Sequence, residues 1–245
     1  MVKLLKNQEE FTKRYKIPRS VAIILDGNRR YAKKLGIKPW KGHEYGMKKL
    51  EELFKWCQEL GIKELTLYSF STENFNRTKQ EISFLFNLFK KKFYEIKNNN
   101  DIFQNNIKVD VIGRIEMFPT DIRNAMLEAV QKTKNNKKLT VNFALAYGGR
   151  QEITDSVRNI AKKVKEGKIK PEDIDEELIK QNLYLHSEPD LVIRPGGEIR
   201  TSNFLTWQSV YSEWIFIDKL WPEFTKNDLL WCINEFNRRE RRFGE

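Results

Sequence analysis

Short apolar runs alternate along the chain with longer segments in which apolar residues recur every three or four positions. The short runs predict buried strands, and the longer segments predict helices with one apolar face. The predicted strands span residues 21–25, 64–70, 108–113, 139–146, 191–194 and 214–218. The predicted helices span residues 43–60, 119–134, 151–165, 171–183 and 225–239, with another opened by a capping box at Thr78-Lys79-Gln80-Glu81.

Near-continuous apolar strands separated by helices are typical of a mostly parallel sheet that is covered on both faces. The 245 residues suit one domain, and 40% of them are hydrophobic. The sequence therefore predicts a single α/β domain over residues 1–245. In such folds ligands bind beyond the carboxyl ends of the strands, so the segments that follow the strands are the first place to look for chemistry.

The segment after the first strand combines a carboxylate with cations. It reads Asp26-Gly27-Asn28-Arg29-Arg30-Tyr31. A helix start and two guanidinium groups suit a phosphate, and the carboxylate could hold Mg²⁺ that bridges to phosphate oxygens. The alternative is a helix capped by Asp26, with its basic side chains in solvent.

Two further segments of this kind follow later strands. The second reads Ser71-Thr72-Glu73-Asn74-Phe75-Asn76-Arg77, and an ordinary polar loop is its alternative. The third reads Arg194-Pro195-Gly196-Gly197-Glu198-Ile199-Arg200-Thr201-Ser202, and its alternative is a flexible surface turn. Three such loops at three strand ends favour one shared anion site over three unrelated turns.

The charge balance narrows the class of partner. Lysine and arginine number 45 against 34 aspartates and glutamates, a net charge of +11 that favours anionic partners such as nucleic acid, acidic membranes or phosphorylated molecules. The aromatic residues fall mainly at core spacing, which argues against nucleic acid. Phosphate-binding P-loop, dinucleotide and nucleophile-elbow motifs are absent from the sequence.

The cysteines and the hydropathy of the sequence indicate the cellular compartment of the protein. Cys57 and Cys232 fit no metal or redox spacing and are predicted to be free, buried thiols in a reducing compartment. No apolar run reaches the ~20 residues of a membrane span, and residues 1–17 lack the apolar core of a signal peptide. We expect a cytoplasmic protein, for which peripheral membrane contact stays open.

One predicted helix is apolar on more than one side. Its main face is the core-spaced set Ile82, Leu85, Phe86, Phe89, Phe93 and Ile96. Phe84 and Leu88 lie on another side, so the helix either packs between two layers or lines a cavity for a hydrocarbon chain.

The motifs taken together resemble those of the cis-prenyltransferase family, which includes undecaprenyl and dehydrodolichyl diphosphate synthases. The matching residues are the run of nine from Asp26 to Lys34, Gly42-His43, Glu73-Asn74-Phe75 with Arg77, Arg194 to Glu198 with Arg200 to Leu205, and Trp221-Pro222. They occur in order over nearly the whole chain. The resemblance implies an elongated apolar tunnel for a prenyl chain and repeated condensation of isopentenyl diphosphate onto farnesyl or geranylgeranyl diphosphate.

The resemblance also implies roles for individual residues. Asp26 and Glu213 would bind Mg²⁺, and Asn74 would position or relay a proton in catalysis. The implied allylic diphosphate cradle is Gly27, Asn28, Arg29, Arg30, Tyr31, His43 and Arg77. The second loop contributes Ser71, Thr72, Glu73 and Phe75, and the implied isopentenyl diphosphate site is Arg194, Arg200, Thr201 and Ser202.

A C-terminal R-x-G element, Arg242-Phe243-Gly244, implies a homodimer in which each chain reaches into its partner's site. The arginine that many members carry shortly before the Gly-His pair is replaced here by a segment with Lys38 and Lys41, and the sequence does not decide between them. A non-catalytic scaffold subunit is the alternative function. Its sequence would lack the acidic and arginine residues that this chain has.

Overall fold

The computed structural model describes residues 8–98 and 100–239. Six strands lie within this part of the chain: β1 (Ser20–Ile24), β2 (Glu64–Ser71), β3 (Ile107–Ile112), β4 (Leu139–Tyr147), β5 (Leu191–Pro195) and β6 (Glu213–Ile217). The helices within it are α1 (Gln8–Arg14), α2 (Asn28–Lys34), α3 (Gly42–Leu60), α4 (Lys79–Asn98), α5 (Asn100–Gln104), α6 (Thr120–Thr133), α7 (Gly149–Lys165), α8 (Glu176–Gln181) and α9 (Lys226–Arg238).

All six strands pair in parallel in one sheet, in the order β3-β4-β2-β1-β5-β6. From β1 the chain first builds the side that begins with β2, then crosses back to place β5 on the other side of β1. This is the topological switch point of the sheet, where open α/β sheets bind their ligands. The predicted single α/β architecture is confirmed.

Strand β1 is buried on both faces, and this explains its uninterrupted apolar sequence. Val21 and Ile23 belong to the larger core cluster, which also holds residues of α3, α4, α6 and α9. Ala22 and Ile24 point to the opposite face and pack in a smaller cluster with Phe204 and Leu205. Successive residues of a strand face opposite sides, so a central strand between two layers needs apolar side chains throughout.

The predicted strands and most predicted helices are confirmed to within a few residues, but the helix predicted over residues 171–183 is wrong in its extent. Residues Pro171–Asp173 form a single turn, and α8 begins only at Glu176. Two aspartates end the regular pattern: Asp173 Oδ2 accepts a bond from the Lys170 amide over 2.9 Å, and Asp175 caps α8 by accepting from the Leu178 amide over 2.8 Å. Such side chains compete with helical hydrogen bonding and favour caps.

The two cysteines are buried free thiols, as predicted. Burial raises the pKa of both Cys57 and Cys232 far above the ordinary value of a thiol, so neither thiolate forms at neutral pH. Within the described residues, no helix is both long enough and apolar enough to cross a membrane.

Candidate active site

The carboxyl ends of β1, β2 and β5 lie side by side, because β1 pairs with both of its neighbours in parallel register. Parallel strands bring their following loops to one edge of the sheet. The first loop, at Asp26, and the third loop, at Gly196, therefore meet directly. The second loop, at Ser71, lies on the other side of the first.

Asp26 lies between two arginines from different loops. Its Oδ2 accepts a hydrogen bond from Arg194 Nη2 over 2.8 Å, and its Oδ1 is 3.2 Å from Arg30 Nη2. The amide of Gly27 donates to Oδ1 over 2.6 Å. The carboxylate keeps 27% of its surface exposed, so it is fixed by cations but open to the cavity.

Arg194 is the most deeply buried cation of the site, with 5% of its side chain exposed. Besides Asp26 it donates to the Ser202 hydroxyl over 2.7 Å and to the carbonyl of Arg200. Its Nε is buried and has no hydrogen-bond partner among the described residues. Unsatisfied buried donors are rare in proteins. Arg194 also lines the first of the cavities described below, where its positive charge favours an anion.

Gly196 allows the first and third loops to approach each other. It has a φ of +102°, and a Cβ built on it would lie 2.7 Å from Arg30 Nη2 and 3.3 Å from Asp26 Cβ. Its carbonyl accepts a hydrogen bond from Arg30 Nη1. A side chain at this position would therefore strain the backbone and displace the guanidinium.

Two arginines and a histidine surround the buried carboxylate of Glu81 on α4. Glu81 Oε1 lies 3.0 Å from Arg77 Nη1, 3.8 Å from His43 Nε2 and 3.9 Å from Arg29 Nε. The neighbouring His43 imidazole, followed by the charges of Arg77 and Arg29, holds the pKa of Glu81 below its usual value. Burial lowers the pKa of His43, so at pH 7 this imidazole is neutral.

The second loop forms a turn of 3₁₀-helix over Thr72–Asn76. The amide of Ser71 donates to Asn74 Oδ1 over 3.1 Å, which fixes the orientation of the Asn74 side chain. Burial raises the pKa of the neighbouring Glu73 carboxylate, but hydrogen bonds from its own amide, Ser71 and Asn203 outweigh it, and the pKa is lowered. Glu73 is therefore ionised at neutral pH.

Hydrogen bonds of Asn203 connect the second and third loops to the start of α7. Its Nδ2 donates to Gln151 Oε1 over 3.0 Å and approaches Glu73 Oε1 at 3.4 Å. Its Oδ1 accepts from the Arg150 amide over 2.8 Å. The residue adopts a left-handed φ of 62°, which asparagine tolerates better than most residues.

Two adjoining cavities open at these loops. The first, of about 590 Å³, is lined by polar residues of the loops and by the apolar residues Ile24, Leu25, Met47, Leu85, Leu88, Phe89 and Trp221. The second, of about 580 Å³, is lined mainly by the first loop. The sequence-predicted residues that line one or both are Asp26, Gly27, Asn28, Arg29, Arg30, His43, Ser71, Glu73, Asn74, Arg77, Arg194, Arg200 and Ser202.

Four predicted site residues of the three loops lie outside the linings of these two cavities. Phe75 packs against Phe70, with ring centroids 5.0 Å apart, and Tyr31 packs against Tyr45 at 5.3 Å. Thr72 has a buried hydroxyl behind the second loop, and Thr201 is exposed. Phe75 and Tyr31 therefore have packing contacts that support the loops and α2.

Glu213 does not approach Asp26 within the same chain. It opens β6 in register with Leu191, at the amino end of the sheet, and its carboxylate accepts a hydrogen bond from Arg239 over 2.8 Å. Asp26 lies beyond the opposite end of β1, and the length of a five-residue strand, about 13 Å at ~3.3 Å per residue, separates the two levels. Arg242 and Gly244 lie outside the described residues.

Several residues of the site are not predicted by the sequence pattern. The capping box at Glu81 accounts for its amide, which bonds to Thr78 Oγ1 over 3.3 Å, but not for its carboxylate, which faces Arg77 and His43. Asn203 belongs to the matching run from Arg200 to Leu205, but no role was predicted for it. Its position directly after Ser202 is the feature of the sequence that could have indicated a place in the site. Trp221 likewise belongs to a matching motif without an assigned role, whereas Met47 carries no such signal, because apolar spacing alone cannot separate a cavity wall from a core.

Comparisons with known proteins agree with this geometry. The profile of the family described as "Putative undecaprenyl diphosphate synthase" matches residues 24–244. The tritrans,polycis-undecaprenyl-diphosphate synthase (geranylgeranyl-diphosphate specific) of Thermococcus kodakarensis is 54% identical over 230 residues, 93% of this chain and 87% of the relative. The protein of the same name from Methanocaldococcus jannaschii is 48% identical over 97% of this chain and 86% of the relative.

Solved structures give the same result. Lavandulyl diphosphate synthase from Lavandula x intermedia, solved in complex with dimethylallyl diphosphate, superposes with a TM-score of 0.88 at 36% identity, covering 96% of this chain and all of that one. A probable undecaprenyl diphosphate synthase from Campylobacter jejuni gives 0.78 at 35% identity, over 94% of this chain. The fold and site thus define an enzyme that transfers prenyl groups. The chain belongs to the undecaprenyl diphosphate synthase family of cis-prenyltransferases.

Proposed function

We propose that this enzyme condenses isopentenyl diphosphate repeatedly onto an allylic diphosphate and so builds a long-chain cis-polyprenyl diphosphate, a precursor of a glycosyl-carrier lipid. Geranylgeranyl diphosphate is the proposed starter in preference to farnesyl diphosphate, because the archaeal relatives are named for that specificity. The proposal gives each predicted loop a part in holding one of two diphosphates.

The observation that carries the proposal is the position of Asp26 between Arg194 and Arg30. A carboxylate between two guanidinium groups fixes both cations where two anionic groups can approach from the two adjoining cavities. Arginine forks suit diphosphate oxygens because they donate parallel, charge-assisted hydrogen bonds. The apolar residues in the lining of the first cavity then suit the hydrocarbon tail.

The residues present fit a Mg²⁺ ion that is shared with substrate. No group of three His, Cys, Asp or Glu side chains within residues 8–98 and 100–239 could hold a metal alone. Mg²⁺ is commonly bound through one or two carboxylates plus substrate phosphates, and Asp26 supplies a partly exposed carboxylate at the junction of the cavities. Asp26 would hold the ion, which when bound neutralises charge on diphosphate oxygens.

The reaction proposed for this geometry begins with cleavage of the allylic C–O bond, which places negative charge on the departing diphosphate. Arg29, Arg30 and Arg77 are the cations proposed to stabilise that charge. The double bond of isopentenyl diphosphate, held by Arg194, Arg200 and Ser202, then attacks the allylic carbon, and loss of a proton leaves a new cis double bond.

Asn74 has a positioning part in this scheme. Its side-chain oxygen is already engaged by the Ser71 amide, and an amide is a weak base at neutral pH. We therefore propose that Asn74 orients isopentenyl diphosphate in the site.

The proposed active unit is a cytoplasmic homodimer that contacts membranes peripherally. Strand β6 is an edge strand, and Val210, in the segment before it, is 69% exposed. Within the described residues β6 pairs only with β5, and an open edge beside an exposed apolar side chain favours association. Glu213 could reach a metal bound at Asp26 only from a second copy, because the two carboxylates of one chain lie at opposite ends of the sheet. An amphiphilic product and a net charge of +11 favour peripheral contact with anionic membranes.

The test is incorporation of labelled isopentenyl diphosphate with each of three starters: dimethylallyl, farnesyl and geranylgeranyl diphosphate. We expect long products with geranylgeranyl diphosphate in the presence of Mg²⁺ and none after chelation with EDTA. Asp26→Ala should abolish incorporation while circular dichroism shows an intact fold.

Asp173→Ala, on a surface turn, is the control and should retain full activity. If Asp26→Ala incorporated isopentenyl diphosphate near the wild-type rate, the proposed role of this carboxylate would be wrong. Failure of the wild-type protein with all three starters would refute the proposed reaction.

A further inference from the structure

Asn203 engages both polar atoms of its side chain with residues far away in the sequence. Its Oδ1 accepts a hydrogen bond from the amide of Arg150 over 2.8 Å, and its Nδ2 donates to Gln151 Oε1 over 3.0 Å. The second N–H of Nδ2 is the donor available to Glu73 Oε1, 3.4 Å away. Because a backbone amide can only donate, Oδ1 must face Arg150, and Nδ2 therefore faces Glu73.

The same residue caps the start of α7. The residue before this helix is Gly148, which has no side chain to serve as a cap. The amide of Gly149 instead donates to the carbonyl of Asn203 over 2.7 Å, and the amide of Arg150 donates to its Oδ1. The first amides of a helix need such acceptors. Asn203 is thus held on α7 by its backbone and its side chain together.

Gly148 leaves the space in which this carboxamide lies. A Cβ built on Gly148 would be 2.7 Å from Asn203 Nδ2 and 3.0 Å from Thr72 Oγ1, and it would also overlap Gln151 Oε1. The φ of Gly148 is −163°, an extended value that any residue adopts, so the backbone conformation does not require glycine. The glycine serves close approach, because it lets α7 and the second loop meet around the side chain of Asn203.

Asn203 and Glu73 both line the first cavity, each beside a residue to which we assign isopentenyl diphosphate. Asn203 directly follows Ser202, whose hydroxyl accepts a hydrogen bond from Arg194, and Glu73 directly precedes Asn74. Burial disfavours the ionised form of Glu73, but its hydrogen bonds, that from Asn203 included, lower its pKa. The amide of Asn203 therefore faces a carboxylate at neutral pH, and hydrogen bonds to charged acceptors are the stronger ones.

We propose that Asn203 is a positioning residue for isopentenyl diphosphate, which holds the second loop against the third by donating to Glu73 from its anchor on α7. The inference rests on the proposed function, since it requires that Ser202 and Asn74 act on the same substrate. Without this donor, the loop that carries Asn74 is free to move relative to Arg194 and Ser202. The two sides of the site then no longer match one ligand.

Asn203→Asp separates the cap from the contact with Glu73. The aspartate keeps an oxygen for the Arg150 amide, tolerates the left-handed φ of 62° and suits a helix start, so the midpoint of thermal unfolding should stay at the wild-type value or rise. Gln151 can turn its own amide to donate to the new carboxylate. Towards Glu73, however, the substitution replaces a donor with a second negative charge, which repels.

Steady-state kinetics should therefore change for one substrate only. The KM for isopentenyl diphosphate should rise roughly fivefold or more in Asn203→Asp, the size of effect that neighbouring side chains in contact produce. The KM for geranylgeranyl diphosphate, which we place on Arg29, Arg30 and Arg77, should stay within ~twofold of the wild-type value.

Glu73→Gln provides the second half of a double-mutant cycle. The amide of this glutamine can donate to the aspartate introduced by Asn203→Asp, so the hydrogen bond forms again with donor and acceptor exchanged. Adding Asn203→Asp to Glu73→Gln should then change the KM for isopentenyl diphosphate by no more than ~twofold relative to Glu73→Gln alone. An equal rise in both backgrounds would show that Asn203 acts without Glu73 and would overturn the proposal.

Asn106→Asp is the matched control. Asn106 also has a left-handed φ, of 55°, and its Oδ1 also accepts from a backbone amide, that of Lys137, but it precedes β3 at the opposite end of the sheet. Both KM values should stay unchanged in this variant.

Two results would reduce Asn203 to a helix cap. One is a wild-type KM for isopentenyl diphosphate in Asn203→Asp. The other is a fall of its unfolding midpoint as large as that of Asn203→Ala, which removes the cap. Failure of the wild-type protein to form product is a separate outcome: it refutes the proposed reaction, and the inference falls with it.

Discussion

Arg194 donates a hydrogen bond from Nη2 to Oδ2 of Asp26 over 2.8 Å, although 168 residues separate the two in the chain. The bond joins the loops after two neighbouring strands, β1 and β5, and Arg194 reaches Ser202 in the third loop at the same time. One buried guanidinium thus holds the metal-binding candidate and the proposed isopentenyl diphosphate site in a fixed relation.

Replacing Arg194 with lysine should damage both substrate binding and stability. A lysine ammonium cannot reproduce the planar fork that bonds Asp26 and Ser202 together, and it leaves buried acceptors unpaired. We expect KM for isopentenyl diphosphate to rise roughly tenfold or more, with a loss of about 1–3 kcal/mol in the free energy of unfolding. Steady-state kinetics and urea denaturation measure the two effects.

Arg158→Lys is the control for this substitution, because Arg158 is 70% exposed and pairs with Asp155 at the surface. Unchanged kinetics in Arg194→Lys would show that the fork geometry is dispensable.

Gly196→Ala should lower activity through contact with Arg30. The new Cβ would lie 2.7 Å from Arg30 Nη2, so the guanidinium must move away from Asp26. We expect turnover to fall roughly tenfold or more, because a displacement of this size in a catalytic group is costly. The left-handed φ adds about 1–2 kcal/mol of backbone strain.

Gly167→Ala separates the two contributions, since Gly167 has a φ of +69° and nothing lies within 4 Å of the place that an alanine methyl would occupy. It should lose similar stability and keep full activity. Equal loss of activity in both variants would mean that strain, and not the contact with Arg30, is responsible.

The Glu81 cluster should make stability depend on pH in the acidic range. The folded-state pKa of Glu81 is below its ordinary value of 4.5, so ionised Glu81 stabilises the fold above that pH. This contribution is lost as the pH falls below 4.5 through the folded-state pKa. In Glu81→Gln the contribution is absent at every pH.

The difference in free energy of unfolding between the wild-type protein and Glu81→Gln should therefore be large at pH 7 and shrink at pH 3. Urea titrations at both values measure it. Glu128→Gln, which removes a surface partner of Lys97, should give a small difference at both. A difference for Glu81→Gln that does not change with pH would contradict the assignment.

Two substitutions on α4 should differ in their effect on product length. Leu88 lines the first cavity, and Phe84, a half-buried residue one turn earlier, does not belong to its lining. Leu88→Ala enlarges the cavity and should lengthen the products by one or more five-carbon units. Phe84→Ala should leave the ladder as it is. Lengthening by both variants would place the prenyl chain on a wider face of α4.

Much of the fold could be predicted from the sequence, because buried parallel strands need unbroken apolar runs and surface helices need one apolar face. The failure at residues 171–183 has a local cause, in that Asp173 closes the turn at Pro171–Asp173 and Asp175 caps α8. The helix itself begins at Glu176, with two acidic residues in its first turn.

The sequence by itself determined where the three loops at the strand ends lie, because each one combines charged residues with glycine or hydroxyl residues directly after an apolar run. Only the tertiary structure decided which of these residues meet. Asp26 joins Arg194 and Arg30, Glu81 turns to Arg77 and His43, and Glu213 faces Arg239 at the other end of the sheet. Strand order and side-chain direction fix such contacts, and both arise from packing between residues that are far apart in the chain.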